Sequence, residues 1–255
     1  MIMPEAGLFL AVGARPTNVG VSDGEAVWEW PLLRIRQRQD QWNRDTIAIL
    51  DAEHSVLAVG RDDGSGPVPD AFYSGQPFAD NDFPYFAVNE GRVGIVVRSG
   101  APGEVQLTEI SASADTVWTR RISLPPQRLD SEQQQTTLEG ITRSVLGRRD
   151  PSRHDSEETL RLRTAEALYS PDYLPSVTAA VSAGSGELWL RSSETSDTLV
   201  AWYVFRRGDP NSSTRRVLLP TWFRVRDGST THVWGTRMDS RGAAQVLGRK
   251  LAAPR

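Results

Sequence analysis

The chain has 255 residues, 38% hydrophobic and 24% charged, enough apolar material for a packed core and too much for an intrinsically disordered segment. A formal net charge of -3 gives no electrostatic reason to expect nucleic acid or an anionic membrane as a partner. Cysteine is absent, which excludes disulfides and thiol catalysis and leaves the compartment open.

In chain order, short runs of strand-forming residues alternate with glycine-bearing turns. The opening Met1-Ile2-Met3-Pro4 lacks a basic region followed by an apolar stretch, so no signal peptide is visible. Residues 7–12 read as a lone strand of a unit whose beginning is missing, and no apolar run is long enough to span a bilayer as a helix. Residues 19–24 end in Asp23-Gly24 and lead into Ala26-Val27-Trp28. Arg34, Arg36 and Arg38 alternate with Ile35 and Gln37, which puts the guanidiniums on one solvated strand face. A second hairpin joins Phe86-Ala87-Val88 to Val93-Gly94-Ile95 through Asn89-Glu90-Gly91. A third joins Ala180-Val181-Ser182 to Leu188-Trp189-Leu190 through Gly184-Ser185-Gly186. The fourth joins Phe223-Arg224-Val225 to His232-Val233-Trp234 through Asp227-Gly228. In each, glycine is expected to supply the positive φ of the turn.

The second halves of these units also match. Val105-Gln106-Leu107-Thr108-Glu109-Ile110 alternates by face, turns at Asp115-Thr116 and returns through Arg121-Ile122-Ser123-Leu124-Pro125. Trp202-Tyr203-Val204-Phe205 turns at Gly208-Asp209-Pro210-Asn211 and returns through Arg216-Val217-Leu218-Leu219-Pro220, proline stopping the pairing in both. Four strands per unit in tandem predict an all-β fold, a β-propeller of four-stranded blades, with a β-sandwich as the structural alternative. Residues 127–171 differ: Leu138, Ile141 and Val145 share a helical face with Gly147 as a stop. Asp155 with Glu158 resembles a capping box ahead of Leu160, Ala165 and Leu168, and Ser170-Pro171 terminates. The spacing predicts a helical insertion between blades of one propeller domain over 1–255.

Three stretches carry a family resemblance: Gly186-Glu187-Leu188-Trp189-Leu190, Trp202-Tyr203-Val204-Phe205, and Leu219-Pro220-Thr221-Trp222-Phe223 leading to His232-Val233-Trp234-Gly235. Residues 176–251 resemble the carboxyl-terminal blades of bacterial six-bladed β-propellers of the NHL-repeat class, and residues 76–97 look like an earlier blade. The resemblance implies six blades of about 40 to 50 residues each. The self-alignment gives about four, the last one strand short at residues 243–251, so the propeller is expected to be incomplete or a shorter variant. The likeness also implies a periplasmic or exported home for relatives. Some members are calcium-dependent lactonases or esterases, whose ligands converge on the central channel from different blades; no matching positions are identified here.

Trp28, Trp189 and Trp234 occupy equivalent repeat positions, so packing between blades is expected of them, while Trp42 in a polar turn is the better candidate for an exposed contact. His54, His154 and His232 stand beside no second ligand at metal spacing, and His232 reads as a half-buried structural group. Asp62-Asp63 and Asp80-Asn81-Asp82 read as turn formers rather than a calcium loop, and the Gly-Ser turns at Ser65 and Ser185 lack a nucleophile elbow. No catalytic residue, metal ligand or cofactor is expected. The leading expectation is a non-catalytic propeller scaffold for a protein or small ligand on a propeller face, with the charged insertion extending that face. The alternatives are a calcium-dependent hydrolase or lyase at the central channel, and a fragment without independent function.

Overall fold

The computed structural model describes residues 8–12, 17–22, 25–38, 41–51, 56–59, 72–80, 82–87, 92–97, 101–111, 113–148, 156–209 and 211–252. Two compact units divide the chain: residues 1–52, 81–127 and 175–255 form one, and residues 53–80 and 128–174 the other. The first is all-β and consists of several small antiparallel sheets, none of which closes on itself among the described residues.

The first sheet holds β1 (Leu8–Val12), β2 (Thr17–Ser22), β3 (Glu25–Arg38) and β4 (Gln41–Asp51). The expectation of a lone strand at residues 7–12 is overturned here, because β1 pairs with β3 from Leu8↔Arg36 to Val12↔Leu32. The 14 residues of β3 give it room for both β1 and β2 along one edge and β4 along the other. The second sheet is a meander of β7 (Phe83–Ala87), β8 (Arg92–Val97), β9 (Glu104–Ser111) and β10 (Thr116–Ser123). A like meander follows in β11 (Val177–Ser182), β12 (Glu187–Thr195), β13 (Leu199–Arg206) and β14 (Arg215–Pro220). Among the described residues the last sheet has three strands, β15 (Arg224–Gly228), β16 (His232–Met238) and β17 (Ala244–Lys250), one fewer than the two meanders before it.

Alternation along the strands decides how the sheets pack. On β13, Ala201, Tyr203 and Phe205 face the second sheet, where Val105, Leu107 and Ile122 meet them. Val200, Trp202 and Val204 face the last sheet and pack on Phe223, Val225 and Val233. The third sheet is therefore buried on both faces, which explains the nearly continuous apolar run of β13. The second sheet meets the first through Ile110 and Phe86 against Leu32 and Leu50.

Only some glycines act as the sequence suggests. Gly186 has φ +93° and makes the β11–β12 turn, but Gly228 ends β15 without positive φ. Its missing side chain makes room for the Trp189 ring, 2.5 Å from where a Cβ would stand. Tyr85 lies over its cross-strand partner Gly94 in the same way, with Cζ 1.9 Å from a hypothetical Cβ. Pro220 also departs from the reading: it is the last residue of β14, paired with Leu199, and not just beyond the strand.

The second unit contains the hairpin of β5 (Val56–Val59) and β6 (Phe72–Gly75) with helices α1 (Ser131–Arg148) and α2 (Glu157–Ala167). Its core joins Phe78, Leu138 and Leu168, with Ile141 against them. Gly147 does not stop α1, which continues to Arg148. The cap of α2 is Ser156, whose Oγ accepts from Thr159 N at 3.1 Å; Asp155 lies outside the described residues. Ala165 is exposed, and Thr164 takes the buried position because its hydroxyl donates back to Leu160 O. Gln76 ties the end of α2, donating to Ala167 O at 2.7 Å and accepting from Tyr169 N at 3.0 Å. Among the described residues no helix is long and apolar enough to cross a membrane.

Replacing Gly94 with Ala is expected to lower unfolding free energy by about 2–3 kcal/mol in a urea titration, because Tyr85 has to move. Gly140→Ala, in open space within α1, is expected to be neutral or stabilising by up to about 1 kcal/mol.

Candidate functional site

Two clusters of polar and aromatic groups stand out in the strand-rich unit. The first is interior. Glu109 continues the core-facing series Val105 and Leu107 on β9 and is fully buried. Arg207, just past β13, meets its Oε1 through Nε at 2.7 Å; Trp118 Nε1 donates to Oε2 at 2.8 Å, and Tyr85 OH to Oε1 at 3.3 Å. Arg207 also donates to the Ser182 hydroxyl. Burial, and then the neighbouring Glu109 charge, push the Tyr85 phenol far above its ordinary pKa, so it stays protonated and donating. Nearby, Arg120 lies 4.4 Å over the Phe205 ring and donates to Asp209 O, Ser212 Oγ and Ser212 O at 2.7–3.0 Å. A carboxylate held by three donors is set to fix one sheet on the next rather than to move a proton. Glu194 is likewise engaged: its hydrogen bond from Arg216 holds the carboxyl below the usual range, and Tyr203 OH donates to it at 2.9 Å.

The second cluster is open and lies on the last sheet. Trp222, 40% exposed, sits beneath two guanidiniums, Arg237 at 5.0 Å and Arg249 at 5.4 Å from its ring centre. On the opposite face the His232 ring stacks on Trp234 at 5.7 Å, and Trp234 lies over Gly248 of the neighbouring strand. Met238 and Val246 flank this pair on the same face, and Val246 is 77% exposed. The strand period produces the arrangement. His232, Trp234, Thr236 and Met238 point one way, Val233, Gly235 and Arg237 the other. The sheet thus offers aromatic surface, guanidinium donors, the His232 imidazole and a strand edge.

The structure separates residues the sequence groups together. Trp189 is fully buried between sheets as expected, but its counterpart Trp234 is 42% exposed, because no further sheet covers it among the described residues. His232 is exposed rather than half-buried, since its strand position points away from the core. The side chains of Trp28, Trp42, Arg34, Arg36 and Arg38 lie outside the described residues, as do His54, Asp62, Asp63, Ser65, Asn81 and His154. Asp80 is exposed and Asp82 half-buried; no metal-holding group of three His, Asp or Glu occurs among the described residues. Ser185 sits in its turn, donating to Gly228 O at 2.6 Å. The sequence reading missed Glu109, although its place in the alternation after Val105 and Leu107 marks an ionisable residue on a core face. Arg237 and Arg249 gave no local signal, because only the fold brings Trp222 to them.

Comparison with known protein families, characterised proteins and solved structures finds no significant match.

Glu109→Gln is expected to cost about 3–5 kcal/mol of unfolding free energy by leaving Arg207 buried without its counter-charge. Adding Arg207→Met should recover part of that loss in urea melts; a fully additive double variant would contradict the coupling.

Proposed function

We propose that the strand-rich unit is a propeller-type, non-catalytic binding scaffold that presents its last sheet to a protein or small ligand. Three features support the propeller arrangement. The meanders follow one another in chain order, they stack face to face, and the first strand of the third sheet, β11, lies beside the first strands β7 and β15 of its neighbours. The observation that carries the binding reading is the contrast between the two clusters. Glu109 is saturated with donors inside the stack, whereas Trp222 is exposed beneath Arg237 and Arg249, and Trp234 is exposed against the His232 ring. Exposed tryptophan next to arginine is the composition that dominates binding energy at interfaces, where each supplies large contact area or several donors at once.

Selection from a randomised peptide display library on the purified chain tests this, with Trp222→Ala/Trp234→Ala as the counter-target. Enriched ligands should lose at least about tenfold in affinity on the double variant. Ligands that bind both forms equally would contradict the site, and calcium-dependent turnover of a lactone or ester by the chain would replace the reading with a hydrolase.

A further inference from the structure

We infer that the free edge of β17 takes up an extended acidic segment of a partner protein as the fourth strand of the last sheet; this rests on the binding-scaffold reading above. Among the described residues, the second and third sheets have four strands in meander order, while the last has three and nothing pairs with the outer edge of β17. β17 pairs with β16 over seven consecutive residues, His232↔Lys250 to Met238↔Ala244, with no register shift. Its other edge is therefore an unbroken row of backbone donors and acceptors, the template used in strand addition. The edges of the neighbouring meanders are blunted. β10 carries a register shift between Thr116 and Trp118, and β14 ends in Pro220. β17 has neither device, and its side chains are almost all exposed.

Charge selects the occupant. Residues 222–252 carry five Arg and one Lys against two Asp, in a chain whose formal net charge is -3. Nearest the β17 edge, Arg237, Arg249 and Lys250 meet no carboxylate among the described residues; Arg224 and Arg226 add to the charge from β15, two strands away. A second copy of this chain would bring the same cations against themselves, whereas an acidic strand is attracted and oriented. The strand period specifies the pattern: Gln245, Leu247 and Arg249 share one face with Arg237, and Val246 shares the other with Trp234. Acidic residues on the first face meet Arg237 and Arg249, and apolar ones on the second meet Trp234 and Val246, with Lys250 at the end of that face.

The probe is a blocked seven-residue peptide alternating Glu and Val, titrated by calorimetry, with a Lys and Val peptide as control. Saturable binding is expected for the Glu peptide alone, and Arg249→Glu should weaken it at least about tenfold. Adjacent residues of a strand direct their N–H groups to opposite edges, so Gln245→Pro and Val246→Pro form a pair. One removes an outward donor, the other an inward one. The variant that keeps the wild-type melting temperature should also lose at least about tenfold in affinity. Wild-type affinity in that variant, with loss in Arg249→Glu, would overturn strand addition while leaving side-chain binding at Trp222 standing. No saturable binding of the Glu peptide, or a native mass of two chains without it, would overturn the inference, and the library selection judges the scaffold separately.

Discussion

The double burial of the third sheet is the constraint on which the strand-rich unit depends. A strand with both faces covered needs apolar residues at every position, and β13 supplies them from Val200 to Phe205. The odd set builds the contact with the second sheet, the even set the contact with the last. Trp189 and Trp202 meet edge to face at 6.4 Å between the third and last sheets. The Trp189 ring needs Gly228 opposite it, so a glycine on one sheet is explained by an aromatic residue on another.

The two contacts made by this central sheet differ in kind. Toward the second sheet, apolar packing is joined by Glu109, Arg207, Arg120 and Tyr85, which fix position through directed hydrogen bonds. Toward the last sheet it is mainly apolar, and the buried Trp189 and Trp202 indole N–H groups find no hydrogen-bond partner among the described residues. Polar links there run through turns, such as Gly184 N to Asp227 Oδ1 at 3.1 Å and Arg215 to Thr230 O at 2.7 Å. Among the described residues the three-stranded sheet is the last of the stack, and its outer face repeats the aromatic position of Trp189 as Trp234 and leaves it open. Position in the stack, rather than residue type, divides buried from exposed tryptophan.

Much of the all-β character was legible because period-2 alternation is local. Residues 105–110 and 200–205 declare their faces without reference to partners, and Gly186 declares its turn. Elements set by distant partners were not legible. Nothing near residues 8–12 reveals that β3 is long enough to hold them, and nothing near Gly228 or Gly94 announces the ring above each. Helix ends were read one step off: Ser156 rather than Asp155 caps α2, and α1 runs one residue past Gly147 to Arg148. The exposed aromatic face was hidden by equivalence: the repeat assigned Trp234 the fate of Trp189, although burial depends on what lies next in the stack.

Hydrogen exchange of the purified chain, resolved to single strands by mass spectrometry, tests the open edge most directly. The account predicts that residues 244–250 exchange on the order of a hundredfold faster than β13, whose amides lie inside a four-stranded sheet covered on both faces. Protection of β17 equal to that of β13 in the isolated, monomeric chain would mean that its edge is already covered, and would contradict it.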